Sequence, residues 1–203
     1  MDFFEDPPSE HNLPFPSDFD PEQPEWAGPP RGVLPGPVPI ELVLGRSRTV
    51  AIALTRVRAY PAGVSLTLEG YLNPSLPLRN LDPKHTFGQE FSGGARVDDE
   101  HSAGRLRWGV KFADGRTATS VAPQWPTPQE GPPRGPVLLP QRGHGSDRHG
   151  EQEYWLWPLP PAGPLSLACE WTARGVGHTV HDIDAGLLRE AAERAQLLWP
   201  EGE

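Results

Sequence analysis

The residues best suited to chemistry lie together at 178–184, which have the sequence His-Thr-Val-His-Asp-Ile-Asp. Imidazole and carboxylate groups are good ligands for zinc and other transition metals. On a strand, however, His178 and His181 point to opposite faces, and Asp184 is better explained as the cap of a following helix. The spacing fits no established metal motif. We therefore interpret this run as a solvated strand end, with a metal-dependent hydrolase that uses His178, His181 and Asp182 as the alternative.

Other candidates for catalysis are weaker. Four of them lie in a Gly-rich segment that we predict to be a loop: His144, His149, Glu151 and Glu153. Cys169 alternates with apolar residues, which predicts a small buried hydrophobe with an inert thiol. The chain has no Gly-x-Ser-x-Gly elbow, phosphate-binding loop or dinucleotide fingerprint. Carboxylates can still converge from distant loops. We expect no cofactor and favour a protein that is not an enzyme.

The elements that must position these residues are mainly strands. Residues 154–171 hold two apolar runs around a Pro/Gly loop, the pattern of a hairpin with a long connection. The loop at 158–164 is interpreted as a structural crossover between sheets, with an exposed contact for a partner as the alternative. Alternation predicts further strands at 38–45, 49–60, 64–71, 105–113, 116–121 and 178–183. The phase of the second of these slips between Leu54 and Val57, which indicates a bulge or a change of sheet. Long loops are expected at 72–104 and 122–150, and a helix at 185–199.

This series of short strands predicts an all-β domain over residues 37–200. Seven or eight strands with hairpin signals and one C-terminal helix favour an immunoglobulin-like β-sandwich. The Cys…Trp…Cys spacing of true immunoglobulin domains is absent, because the chain has one cysteine. A small β-barrel is the alternative.

The charge is concentrated at the N-terminus. Residues 1–30 carry eight acidic residues and no Lys or Arg, which accounts for −8 of the formal net charge of −9. Residues 1–36 are also rich in proline and poor in aliphatic residues, so we predict a disordered acidic tail. The remainder of the chain, near −1, lacks the positive charge that drives nucleic-acid binding.

Two sets of residues are candidates for binding a protein partner. The first set combines the aromatic residues among the acids of the tail with two Pro residues of the 158–164 loop and the two Trp residues just before it: Phe3, Phe4, Phe15, Phe19, Trp26, Trp155, Trp157, Pro160 and Pro161. Basic residues on the outer phase of their strands form the second: Arg56, Arg58, Arg105, Arg107, Lys111 and Arg116. A solvated face explains the second set most simply. The sharper hypothesis is that this basic face attracts the acidic tail, from the same chain or from another copy.

The compartment follows from what the chain lacks. One cysteine excludes an intramolecular disulfide, and the acidic start with no long apolar run is unlike a secretory signal or a membrane span. We expect a cytoplasmic protein that engages a protein partner, not a membrane, and for which homo-oligomers are possible.

A resemblance supports this compartment. The segments Tyr-Trp-Leu-Trp-Pro-Leu-Pro-Pro at 154–161 and Cys-Glu-Trp at 169–171, with Leu-Trp at 198–199, look like a family of uncharacterised actinobacterial proteins. The turns at 60–64 and 109–115 are also similar to that family. The resemblance covers roughly residues 38–200 and implies source and compartment, but no activity.

Overall fold

The computed structural model describes residues 23–77, 86–92, 104–121 and 131–199. Phe3, Phe4, Phe15 and Phe19 lie outside the described residues. The elements in chain order are β1 (Val33–Leu34), β2 (Gly36–Val38), β3 (Leu42–Arg46), β4 (Val50–Ala59), β5 (Val64–Leu72), α1 (Phe87–Ser92), β6 (Arg107–Lys111), β7 (Thr117–Thr119), β8 (Val137–Gly145), β9 (His149–Trp157), β10 (Pro164–Trp171), β11 (Val176–Asp184), α2 (Ala185–Glu193) and β12 (Gln196–Leu197).

Two antiparallel sheets pack face to face and make an all-β sandwich. The larger sheet has the order β2-β4-β5-β9-β8, with β3 also paired to β4, and the smaller has the order β11-β10-β6-β7. Leu66 and Leu68 of the larger sheet and Leu165 and Leu167 of the smaller are fully buried in the shared core. Both sheets are open within the described residues, so the predicted sandwich is confirmed over the barrel.

Two local irregularities interrupt the strands of the larger sheet. The register of β4 against β5 shifts between Leu54 and Arg56, where the sequence predicted a slip. The prediction of one strand at 38–45 is wrong in one respect, because this segment is divided between β2 and β3. Pro39 has no N–H to give to the ladder, and the N–H of Ile40 instead bonds the carbonyl of Val38 at 2.8 Å.

The segment 154–171 is a crossover between sheets and not a hairpin, so of the two interpretations given above for its loop the crossover is the correct one. β9 lies between β5 and β8 in the larger sheet, whereas β10 lies between β6 and β11 in the smaller. Every lateral position beside both strands is therefore taken by another strand. The 158–164 loop carries the chain from one layer to the other.

Both predicted long loops contain regular structure. Within 72–104, α1 buries Phe87 and Phe91, which stack near the ring of Trp171 at 5.8 and 6.0 Å between centroids. Gly70 and Gly150 lie beneath Phe91, and a Cβ at either position would come within 2.6 Å of the Phe91 side chain. Within 122–150, β8 forms the edge of the larger sheet. The loop prediction is wrong at these two places because burial here depends on partners distant in sequence.

The tail predicted over 1–36 is also too long, because residues 23–36 belong to the fold. Trp26 is 5% exposed and packs with Tyr60, Leu139 and Trp155 in a second small core. This cluster lies on the outer face of the larger sheet. The indole N–H of Trp155 donates to the carbonyl of Glu25 at 2.9 Å, which fixes the segment on the sheet.

The C-terminal helix is shorter than the predicted 185–199. The Asp184 carboxylate accepts from the N–H of Gly186 at 2.8 Å, so the predicted cap is confirmed. The helix ends at Glu193, and β12 then pairs with β1. Trp199 therefore lies beyond the helix and is 78% exposed. No helix in the described part of the chain is long and apolar enough to span a membrane.

Candidate functional site

The structure does not assemble the candidate metal ligands of β11. His181 Nε2 lies 3.0 Å from the carbonyl oxygen of Leu44, on the side of β11 that faces β3. His178 and Asp182 lie on the opposite side, four residues apart and hence roughly 13 Å from each other along the strand. Across residues 23–77, 86–92, 104–121 and 131–199, no three His, Cys, Asp or Glu residues are grouped to hold a metal.

The second histidine cluster forms a hydrogen-bonded array on the outer face of the larger sheet. His149, predicted in a loop, lies on β9, and its Nε2–H donates to the carboxylate of Glu69 at 2.8 Å. The hydroxyls of Thr55, at 2.7 Å, and Tyr71 donate to the same carboxylate. Partial burial raises the pKa of Glu69, but these hydrogen bonds outweigh it and lower the pKa to about 2. The hydrogen bond to Glu69 raises the pKa of Tyr71 to about 12.

The rest of this array is paired in the same way. Arg56 forms a 2.6 Å ion pair with Glu151, and His144 lies 4.0 Å from that carboxylate. The hydroxyl of Ser65 donates to Glu153. These side chains satisfy one another across adjacent strands, which is the arrangement of a stabilising network. We assign the array a structural role.

The basic residues predicted as one face are divided between the two sheets. Arg56 and Arg58 lie on β4 of the larger sheet, whereas Arg107 and Lys111 lie on β6 of the smaller. Arg105 precedes β6, and Arg116 lies in the turn before β7. Arg107 is paired with Glu170 and Arg116 with Asp114, at 2.7 Å in the second case. Because the two sheets turn their outer faces in opposite directions, the continuous basic surface that we predicted does not exist.

The Trp and Pro candidates at 155–161 are corrected as well. Trp155 is fully buried in the second core, Pro160 is buried, and Trp157 and Pro161 are half-buried. Trp26 is buried beside Trp155. Trp26 and Trp155 pack together on the outer face of the larger sheet and Pro160 is buried in the crossover loop, so these three side chains are not available to a partner.

A surface that the sequence analysis missed lies on the outer face of the smaller sheet. One cross-strand row runs from Val180 on β11 through Ala168 and Gly109 to Thr119 on β7. Ala168 and Gly109, two of the smallest residues, form its centre. A groove of about 510 Å³ lies over this row, which we name the central row.

Two polar rows border the groove. On one side, Ser166 lies opposite Lys111 and Asp182, and Lys111 lies opposite Thr117. On the other side, the Glu170–Arg107 ion pair spans β10 and β6. His178 and Val121 complete this second border. The groove thus has an apolar centre between polar, charged borders, which is the usual anatomy of a contact surface.

The exposure and charge of the groove make it available for contact. Val180 is 53% exposed and Val121 is 39% exposed. Lys111 forms no ion pair with any described residue, in contrast to Arg107. Beneath the groove, Cys169 is 1% exposed, and desolvation raises the pKa of its thiol to about 12. The predicted burial of Cys169 is confirmed, and the raised pKa disfavours the reactive thiolate form at neutral pH.

One signal in the sequence could have indicated this site. Gly109 and Ala168 both fall on the phase of their strands that otherwise carries Arg, Lys, Ser and Glu. Small residues on a solvated face leave a depression when they become neighbours. Alternation alone could not show that β6 and β10 lie side by side.

No family model, curated protein or solved structure matches this chain, so the resemblance to actinobacterial proteins stays a prediction.

Proposed function

We propose that this protein is a non-catalytic interaction module that holds an extended peptide segment of a protein partner in the groove. The observation that carries the proposal is the central row, an apolar strip with no covering element among the described residues. The outer face of a sandwich is otherwise expected to carry polar side chains. The single cysteine suits a reducing compartment, so we propose the cytoplasm as the place of action.

The dimensions support a peptide rather than a small molecule. The central row crosses four strands, which corresponds to about 14 Å at a strand spacing of about 4.8 Å. An extended chain of four to five residues covers that distance, at roughly 3.3 Å per residue. The groove is open along its length rather than enclosed, whereas a small-molecule site buries most of its ligand.

The chemistry of the borders defines the preferred peptide. An aromatic or aliphatic side chain suits the depression over Ala168 and Gly109, because it removes apolar surface from water. A carboxylate on the flanking residues suits the ammonium group of Lys111. We therefore expect a segment that combines aromatic and acidic residues, with an affinity that falls as salt concentration rises.

A peptide selection tests the proposal. The full-length protein is used to select from a displayed library of random peptides, and the selected peptides are titrated against two variants. Val180→Asp places a charge in the central row, whereas Val43→Asp makes the same change on β3 at a matched exposure, 53% against 52%. We expect a loss of at least tenfold in affinity for Val180→Asp and no change for Val43→Asp.

Two results would contradict the proposal. One is a selection that yields no peptide with saturable binding. The other is a set of peptides that bind the two variants equally, since that would assign the contact to another surface. Ala168→Arg, which fills the depression, serves as a second variant in case Val180→Asp alters the fold.

A further inference from the structure

We infer that the acidic, aromatic N-terminal segment of this same chain, residues 1–22, occupies the groove as an intramolecular ligand. The inference rests on the proposed function, because it names the groove as a peptide site. It adds a regulatory consequence, since a partner peptide must then displace a segment of the protein itself.

The first argument is where the described chain begins. The Gln23 side chain lies against Gly28, next to Gln141 of β8. The Gln141 amide also donates to the carbonyl of Ala27 at 3.1 Å, which holds this start beside β8. β8 is the edge strand of the larger sheet, and it contacts β7, the edge strand of the smaller. β7 supplies Thr117 and Thr119 to the groove. Residue 23 therefore lies near the edge of the sandwich formed by β8 and β7, and β7 is itself one border strand of the groove.

The second argument is length. The 22 residues before Gln23 span at most about 75 Å when extended, at about 3.4 Å per residue. The path needs to cross the roughly 10 Å between the two sheets and then the roughly 14 Å width of the four strands. Half of the segment is enough for this path. A tether of this kind gives an effective concentration on the order of 1 mM, so a weak contact suffices for occupancy.

The third argument is composition. Residues 1–22 contain seven acidic residues, no Lys or Arg, and four phenylalanines. Phenylalanine suits the depression over Ala168 and Gly109, and carboxylates suit Lys111. Glu170 is engaged by Arg107, so its charge opposes the segment less than a lone carboxylate would. Asp182 lies on β11, two strands away from Lys111 in the same cross-strand row. Because its negative charge repels other carboxylates, the carboxylates of the segment are expected on the β7 side of the groove.

The test uses the full-length chain and one spin label. Ser17→Cys introduces a thiol between Phe15 and Phe19, and the buried Cys169 is shielded from the labelling reagent. We expect the label to broaden the amide signals of Gly109, Ala168 and Val180. The amide of Glu69, on the opposite outer face, is the internal control. The broadening must disappear in Val180→Asp and in the double variant Phe15→Ser/Phe19→Ser, and persist in Val43→Asp.

The remaining outcomes separate this inference from the proposed function. Broadening in a mixture of isotope-labelled chain and spin-labelled, unenriched chain would assign the contact to a second copy and overturn the inference. Equal broadening on both outer faces would also overturn it. If the groove signals stay sharp while selected peptides still bind in a Val180-dependent way, this inference alone fails. If the inference holds, Phe15→Ser/Phe19→Ser should also tighten the binding of those peptides by at least threefold.

Discussion

Replacing Trp26 with Ala tests whether the segment before β1 is an integral part of the fold. Trp26 is 5% exposed and packs against Tyr60, Leu139 and Trp155. A buried tryptophan removes 150–250 Å² from water, and loss of roughly 150 Å² at about 25 cal/mol per Å² amounts to about 4 kcal/mol. The second small core can relax more than the main core, so we expect Trp26→Ala to lower the free energy of unfolding by about 3 kcal/mol.

The matched control is Trp199→Ala. Trp199 is 78% exposed, and we expect its removal to change stability by no more than about 0.5 kcal/mol. Urea unfolding followed by far-UV circular dichroism is the appropriate assay, because each variant removes a fluorescent tryptophan. Equal, small losses for the two variants would refute the reasoning, since they would mean that residues 23–28 are not docked on the larger sheet.

Three further predictions concern single side chains. Hydrogen bonds lower the pKa of the Glu69 carboxyl from an ordinary 4.5 to about 2, so its stabilising contribution is complete above pH 4.5 and is lost as the pH falls toward 2. Between pH 4.5 and 2, the free energy of unfolding should therefore fall less steeply for Glu69→Gln than for the unmodified protein. Equal slopes for the two proteins would contradict the assigned network. Cys169 should resist thiol reagents at pH 8 in the native protein and react fully in urea, whereas rapid native labelling would exclude its burial. Asp184→Ala should cost about 1 kcal/mol in thermal or urea unfolding through loss of the cap on α2, with Asp182→Ala as a near-neutral comparison.

The stabilising side-chain clusters and the proposed binding groove lie on different faces of the sandwich. The outer face of the larger sheet is occupied by the Glu69 network and by the Trp26 cluster. The outer face of the smaller sheet carries the groove. Substitutions in the groove are therefore expected to alter binding with little effect on folding.

Several features could be predicted from the sequence because their causes are local. Alternation along a strand assigns each side chain to one of two faces, so the burial of Leu165, Leu167 and Cys169 followed directly. The phase slip after Leu54 and the cap at Asp184 also depend on neighbouring residues alone. The sequence therefore determined the all-β class and the residue at which the C-terminal helix begins.

Tertiary structure alone decided which strands and segments are neighbours. Glu69 and His149 are 80 residues apart, and their contact requires β5 and β9 to pair. The groove likewise exists only because β6 and β10 lie side by side. Trp26 is buried because a distant sheet offers it an apolar surface, although its own segment is acidic and rich in proline. The physical reason is that alternation specifies the face of a residue within its own strand, whereas lateral order is chosen by the packing of the whole core.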